Sequence, residues 1–328
     1  MRVLLTGAAG FIGSHVAQRL LSRGDAVVGL DCFDETLYPA ALHQRNVDAV
    51  VAGAGAATDF QLTRGDLTSP ETLDALFAGH AFDAVVHLGA LAGVRPSLQQ
   101  PLRYEHVNVR GTLLVLEAMR RHDVRRLACA SSSSVYGARN EVPFRETDPA
   151  VHPASPYAAT KRAGELLCDT YASLYGQRIA SLRFFTVYGP RQRPEMAIAA
   201  FARHILDGTP LPFFGDGTTA RDYTYIDDIV DGVIASLDST ADGGATAKEG
   251  HLVFNLGGSR TTTLAQLVVL LETALGKKAV LDRRPLQPGD VPITFADCSR
   301  AETLLGYRSR VPIEEGIARY CAWLRAPG

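Results

Sequence analysis

Thr6-Gly7-Ala8-Ala9-Gly10-Phe11-Ile12-Gly13 lies between an apolar run, Val3–Thr6, and a segment of helical spacing, Ile12–Ser22. The glycines follow a G-x-x-G-x-x-G spacing. Gly7 permits a tight turn, Gly10 lets the backbone approach a pyrophosphate, and Gly13 lets helix and strand pack closely. The helix amino terminus that follows offers free N–H groups and a positive partial charge to an anion. A glycine pattern alone is weak in a chain with 30 glycines. Its position after a strand and before a helix is what gives it meaning.

Working outward, Ala26–Asp31 reads as the next buried strand and ends on an acid about twenty residues beyond the loop. The Asp31 carboxylate is suited to accept from a ribose 2′-hydroxyl and to repel a 2′-phosphate, which favours NAD over NADP. Phe60–Thr63, Ala84–Leu88 and Leu127–Ala130 read as further strands. Pro70–Phe77 and Tyr104–Arg121 have helical spacing between them. This alternation predicts a parallel α/β sheet with helices on both faces. Asp66-Leu67 and Leu88-Gly89-Ala90 follow strands three and four, where they are placed to meet the dinucleotide.

A long helix is expected over Ser155–Tyr175, then a strand over Ile179–Phe184. Beyond it Pro190, Pro194, Pro210 and Pro212 punctuate shorter elements, with helical patterns at Ile226–Leu237, Leu264–Leu275 and Ile313–Trp323. We expect residues 1–180 to form mainly the dinucleotide-binding domain. Residues 181–328 are expected to form mainly a smaller substrate lobe over the carboxyl ends of the strands, with elements exchanged between the two. Leu37–Ala57 is expected to carry a helix and then an Ala/Gly-rich loop, and Gly243–Gly250 an exposed loop.

Tyr157 and Lys161 stand at i and i+4 near the start of the long predicted helix, so both lie on one face. A lysine ammonium beside a phenol favours the phenolate, which makes the pair a candidate general base. With 11 tyrosines and four lysines (Lys161, Lys248, Lys277 and Lys278), chance gives about 0.13 Tyr-x-x-x-Lys pairs in this length. Ser131 to Ser134 follow the fifth strand, and a hydroxyl at a strand's carboxyl end can bridge a substrate hydroxyl and the tyrosine.

The bulk numbers narrow the remaining classes. Net charge is −2 and apolar residues make up 46%. Arg120-Arg121 and Arg125-Arg126 are too short for a polyanion-binding surface, so neither nucleic acid nor membrane is expected as a partner. No apolar run is long enough to span a bilayer. The five cysteines form no C-x-x-C pair, so no metal is expected, and a reducing compartment is. Met1 runs straight into a strand, which leads us to expect no signal peptide and a cytoplasmic location.

These motifs together resemble the extended short-chain dehydrogenase/reductase family of nucleotide-sugar enzymes, over essentially the whole chain. The resemblance rests on GAAGFIG (7–13), Asp31, SSSSVYG (131–137), Tyr157 with Lys161, RFFTVYGP (183–190), GDGTTARDYTYIDDI (215–229) and QPGD (287–290). It implies a Rossmann-type doubly wound parallel sheet with a smaller C-terminal substrate-binding lobe. It also implies bound NAD and a homodimer formed through the helix after Tyr157. By that resemblance Ser132 holds the reacting hydroxyl, Tyr157 is the base, and Lys161 binds the nicotinamide ribose. Arg221 meets the diphosphate, Asp290 the uridine end, and Phe214 the base.

Within the family, RFFTVYGP followed by Arg193-Pro194-Glu195-Met196-Ala197 is similar to the branch that epimerises UDP-glucuronate at C4. In that branch Thr186 and Arg193 lie near the sugar carboxylate, with Ser133 and Ser134 as helpers and Arg95 and Arg191 as rivals. Dehydratases of the family usually carry Asp-Glu at the places of Ser133 and Ser134, and decarboxylases a Glu at that of Ser134. UDP-galactose epimerases typically have Asn in place of Thr186. One departure is Cys32, where many relatives have Asn. The alternatives are a redox enzyme acting on another UDP- or dTDP-sugar, and an NAD-binding regulatory protein that kept the fold.

Overall fold

The computed structural model describes residues 1–54, 59–139, 141–286 and 291–326. Seven parallel strands form the central sheet: β1 (Arg2–Thr6), β2 (Ala26–Asp31), β3 (Phe60–Arg64), β4 (Ala84–His87), β5 (Arg126–Ser132), β6 (Arg178–Phe184) and β7 (His251–Leu256). Their order is β7-β6-β5-β4-β1-β2-β3, so the winding reverses between β1 and β4. In sheets of this kind the crevice beyond the strand ends at such a reversal is where ligands bind.

The strands are apolar on both sides because helices cover both. Side chains alternate across a strand, and the alternation divides the interior into two cores. Val3 and Leu5 of β1, Ala84 and Val86 of β4, and Ala180 and Leu182 of β6 face one core. Helices Phe11–Ser22 and Ile226–Ser239 close it with Val16, Leu20, Ile229, Val233 and Leu237. Leu4, Val85, Leu127 and Ile179 face the other. Helices Pro70–Gly79, Gly111–Arg121 and Pro156–Tyr175 cover that side with Leu73, Phe77, Leu116, Met119 and Tyr171.

Helix ends are where local chemistry puts them. Ser69 caps the helix that opens with Pro70, accepting from Thr72 N at 3.1 Å. Ser155 does the same for Pro156–Tyr175, accepting from Ala158 N at 3.1 Å, and Gly176 ends that helix at φ +66°. Thr263 and Gln266 form a reciprocal capping box on Leu264–Leu275.

The second half adds three small two-stranded pairings. Thr186–Tyr188 runs parallel to Tyr223–Tyr225 and Leu211–Phe214 parallel to Leu281–Arg284, while Ala220–Arg221 and Thr262–Thr263 are antiparallel. Helices Ala197–Asp207, Leu264–Leu275 and Ile313–Arg325 pack beside them.

Two local expectations change, and one unassigned segment proves to be a strand. Gly243–Gly250 is not all loop: Ala245–Glu249 forms a short helix that buries Thr246 against Ser239 at 2.7 Å. Tyr104–Arg121 is not one regular helix, because His106–Arg110 is a π-helical turn. His251–Leu256 joins the sheet as β7, pairing only with β6. The expected loop after the helix at 40–54 falls largely on residues 55–58, which lie outside the described residues.

One buried ion pair ties the sheet to the long helix. Glu165 accepts from Arg183 Nε and Nη2, both at 2.8 Å, from Arg162 at 2.8 Å and from the Ser131 hydroxyl at 2.6 Å. Burial pushes the Glu165 carboxyl upward, but Arg183, Ser131 and Arg162 outweigh it and the net shift is downward. Glu165→Ala leaves the Arg183 guanidinium buried without its anion, and breaking such a pair costs about 3–5 kcal/mol. Urea unfolding of the variant should show that loss; a change under about 1 kcal/mol would mean water reaches Arg183.

Candidate active site

The glycine loop closes on itself without room for side chains. Gly7 sits at φ +71°, and a Cβ there would lie 2.8 Å from Gly89 N. A Cβ on Gly13 would lie 2.0 Å from Gly7 O, while one on Gly10 would have only Gly7 O near it, at 3.1 Å. Gly10 heads helix Phe11–Ser22, and no side chain caps the helix's first N–H groups. The site thus offers an anion uncapped N–H groups and a close backbone approach.

A single cleft at the sheet's reversal point is lined by Gly7, Gly10, Phe11, Ile12, Gly13, Asp31, Asp66, Leu67, Leu88 and Ala90. Asp31 Oδ2 accepts from Ala9 N at 2.9 Å and Oδ1 from Phe33 N at 2.8 Å, so the backbone fixes the carboxylate and leaves lone pairs for a ligand. Asp66 Oδ1 accepts from Thr68 N at 2.8 Å and its hydroxyl at 2.9 Å. A glycine cradle that a Cβ would fill, facing an anchored carboxylate, fits a dinucleotide.

Beneath the cleft runs a buried polar chain. Gly89 N donates to Thr6 Oγ1 at 3.0 Å, Thr6 Oγ1 lies 2.7 Å from His87 Nδ1, and His87 Nε2 lies 3.1 Å from Thr112 Oγ1. The Thr112 hydroxyl donates to Asn108 O at 2.6 Å. Thr112 has therefore spent its proton, so His87 Nε2–H must donate to it. Nδ1 is then the acceptor for the Thr6 hydroxyl. Asn108, in the π-helical turn, exchanges two hydrogen bonds with Leu91 and donates to Thr160 Oγ1 at 3.1 Å. The Thr160 hydroxyl donates to Tyr157 O at 2.8 Å. The ends of β1 and β4 are thereby coupled to the first turn of the Tyr157 helix.

Tyr157, Lys161 and Ser132 line the same cleft as the glycine loop. Lys161 Nζ donates to Ala130 O at 2.8 Å, which pins its head group at the end of β5. Ser132 Oγ accepts from Ser134 N at 3.1 Å and caps the 3₁₀ turn Ser133–Tyr136. The Tyr157 ring meets Tyr104 edge-on, 6.2 Å between centroids. Cap, turn and helix start place hydroxyl, phenol and ammonium around one space.

The residues expected around a sugar are more dispersed. Arg193 lines the cleft at 19% side-chain exposure. Its Nη1 lies 3.2 Å from Glu195 but makes no hydrogen bond of good geometry. Thr186 is half-buried between Phe185 and Val187, which line the cleft, and its N–H donates to Asp222 O. Ser133 and Ser134 are half-buried in the turn after Ser132. Arg95 lies over the Phe214 ring at 5.7 Å, so those two meet each other. Arg221 Nη1 donates to Ala220 O at 2.9 Å. Asp290 and the rest of QPGD lie outside the described residues.

Arg191 turns away from the cleft. Its Nη2 donates to Gln18 Oε1 at 2.6 Å, and its Nε lies 3.1 Å from His15 Nε2, beside helix Phe11–Ser22. That removes it as a rival for the sugar carboxylate. Sequence reasoning also passed over His43, Arg103, His106 and Val107, all of which line the cleft. No local signal marks them; they arrive from separate segments of chain.

The chain is similar to known proteins over nearly its whole length. Residues 3–257 match the NAD dependent epimerase/dehydratase family. The chain belongs to that family. A UDP-glucuronate 4-epimerase of Thermodesulfobacterium geofontis is 40% identical over 98% of this chain and 95% of its own length. The crystal structure of UDP-glucuronic acid 4-epimerase from Bacillus cereus, in complex with UDP-glucuronic acid and NAD, superposes with a TM-score of 0.89. It is 36% identical, with 99% of each chain covered. A UDP-glucose 4-epimerase of Thermotoga maritima gives 0.87 at 31% identity, again over 99% of both chains.

Burial drives the His87 pKa down to about 3, with the Lys161 charge adding to it. The unfolded chain takes up a proton on this histidine near 6.5. Between these values the unfolded state binds more protons, so the contribution is present above about pH 6.5 and is lost as pH falls towards 3. Between about pH 6 and pH 4, stability of the parent should fall about 1.4 kcal/mol per pH unit more steeply than that of His87→Gln. Urea titrations across that range measure both slopes, and equal slopes would show that the folded protein protonates His87.

Proposed function

We propose that the protein interconverts UDP-glucuronate and UDP-galacturonate by epimerisation at C4, with NAD bound. The observation that carries this is the convergence of Tyr157, Lys161, Ser132 and Arg193 on the cleft that begins at the glycine loop. The comparisons support the same substrate, since the similar proteins include enzymes named for it.

In this reading residues 1–180 mainly hold the dinucleotide and residues 181–328 mainly the nucleotide sugar. Gly7, Gly10, Phe11, Ile12 and Gly13 receive the pyrophosphate, Asp31 a ribose, and Asp66, Leu67, Leu88 and Ala90 the flanking surfaces. Bound NAD supplies a site that accepts hydride and gives it back, so none is consumed. Lys161 holds the nicotinamide ribose and lends positive charge beside Tyr157. Tyr157 takes the O4 proton, Ser132 fixes that oxygen, and the phenol returns the proton after the sugar has turned its other face.

A ketone at C4 makes the C5 carboxylate a β-keto acid, prone to lose carbon dioxide. Arg193 answers that hazard: a guanidinium forms two parallel bonds to a carboxylate and so sets its plane. Thr186, Ser133 and Ser134 assist as hydroxyl donors. Arg221 serves the diphosphate, Arg95 is the rival partner for the carboxylate, and Phe214 and Asp290 serve the uridine. The Thermotoga maritima likeness supports a second reading, in which UDP-glucose is the substrate.

Proton NMR of purified protein with UDP-glucuronate, and in parallel UDP-glucose, decides between them. We expect UDP-galacturonate without net NADH, a fall of about 10²-fold or more in Tyr157→Phe, and either decarboxylated product or weak binding in Arg193→Ala. Turnover of UDP-glucose alone would move the assignment to the second reading, and an unaffected Arg193→Ala would remove the clamp.

We also propose a cytoplasmic homodimer. No described helix is long and apolar enough to cross a membrane, and all five cysteines are unpaired. Cell fractionation reads the location. Helix Pro156–Tyr175 leaves Leu166 and Leu174 52% and 66% exposed, and nearby Leu98 and Leu102 are exposed too. Light scattering should report a dimer, and a monomer once Leu166 and Leu174 are both changed to Glu. A dimer that survives would place the interface elsewhere.

A further inference from the structure

His43 stands beside Asp31. It lies on helix Ala40–Ala54, lines the cleft, and its side chain is only 7% exposed. Tyr38 stacks on the ring at 4.3 Å with 9° between planes, and Phe33 meets it edge-on at 5.6 Å. Nε2 lies 3.2 Å from Asp34 O. A carbonyl only accepts, so Nε2 carries the proton and donates, which leaves Nδ1 of the neutral ring as an acceptor. That Nδ1 is buried with no hydrogen-bond partner, 3.8 Å from Asp31 Oδ1.

Two acceptors, an imidazole nitrogen and a carboxylate oxygen, therefore face each other across a gap too long for any bond between them. A buried acceptor left unpaired is costly, and the pair is satisfied only by donors arriving from outside. A vicinal diol brings two O–H groups on neighbouring carbons, one for each acceptor. A ribose carrying a 2′-phosphate brings one hydroxyl fewer and a negative charge towards Asp31.

We propose that His43 is a second cofactor-recognition residue, which shares the two adenosine-ribose hydroxyls of NAD with Asp31 and strengthens the choice of NAD over NADP. This rests on the dinucleotide reading of the cleft.

The test is binding, not turnover. NAD-depleted protein is titrated calorimetrically with NAD, with NADP, and with NAD analogues lacking the 2′- or the 3′-hydroxyl of the adenosine ribose. His43→Phe keeps the stack on Tyr38 and the contact with Phe33 but removes both nitrogens. We expect its Kd for NAD to rise about tenfold, the scale of one lost hydrogen bond to a buried partner. One deoxy analogue should lose less affinity in the variant than in the parent, because its partner is already gone. His43→Gln, which keeps an acceptor, should retain more affinity than His43→Phe. A Kd for NAD within twofold of the parent overturns the proposal. So does an equal loss for NAD and both analogues, which marks a purely structural effect. A parent protein that binds no NAD at all would instead overturn the cofactor reading itself, and this inference with it.

Discussion

The contact on which the rest depends is that of Gly13 with the carbonyl of Gly7. At that point the first helix leaves the first strand so abruptly that a single methyl group would sit 2.0 Å from a backbone oxygen. The closeness has two effects at once. It aims the helix amino terminus into the crevice between β1 and β4, and it lets Gly7 pack against Gly89 at the end of β4. Anion binding and the packing of the two central strands are thus one geometric fact. Relieving the crowding would cost both.

Around this contact the protein holds its polar groups by anchoring each to the backbone or to one another. Asp31 is gripped by Ala9 and Phe33, Lys161 by Ala130, and Ser132 by Ser134. The chain from Thr6 through His87 and Thr112 to Asn108 is satisfied at every step, and it runs across the floor of the cleft to Thr160 and the Tyr157 backbone. Groups held this way lose little freedom when a ligand arrives, so their hydrogen-bonding capacity is spent on the ligand and not on ordering themselves.

Electrostatics divides the molecule in two. Behind the sheet, Glu165 and Arg183 neutralise each other out of reach of water, and the Tyr136 ring covers the guanidinium at 4.7 Å. In the cleft, Asp31, Asp66, Lys161 and Arg193 all line the wall, and Arg103 pairs with Asp34.

The amino-acid sequence by itself determined the glycine loop, the strand end after it and the start of the long helix, which depend on near neighbours. The glycine spacing, the Asp31 strand end, the Ser155-Pro156 helix start and the Tyr157–Lys161 face are all set within a few residues, where steric and hydrogen-bonding rules act locally. The near-continuous apolar runs of β1 and β4 likewise declared a sheet buried on both sides. Only the tertiary structure decided what depends on distant chain. His251–Leu256 becomes a strand because β6 offers it an edge. Arg191 leaves the cleft because His15 and Gln18 are there to receive it, while Arg193, two residues on, stays. Glu165 finds Arg183, and His43 comes to face Asp31, through folding that no spacing rule encodes. A side chain's partner is set by where whole strands and helices come to rest, and that is fixed by the packing of both cores together.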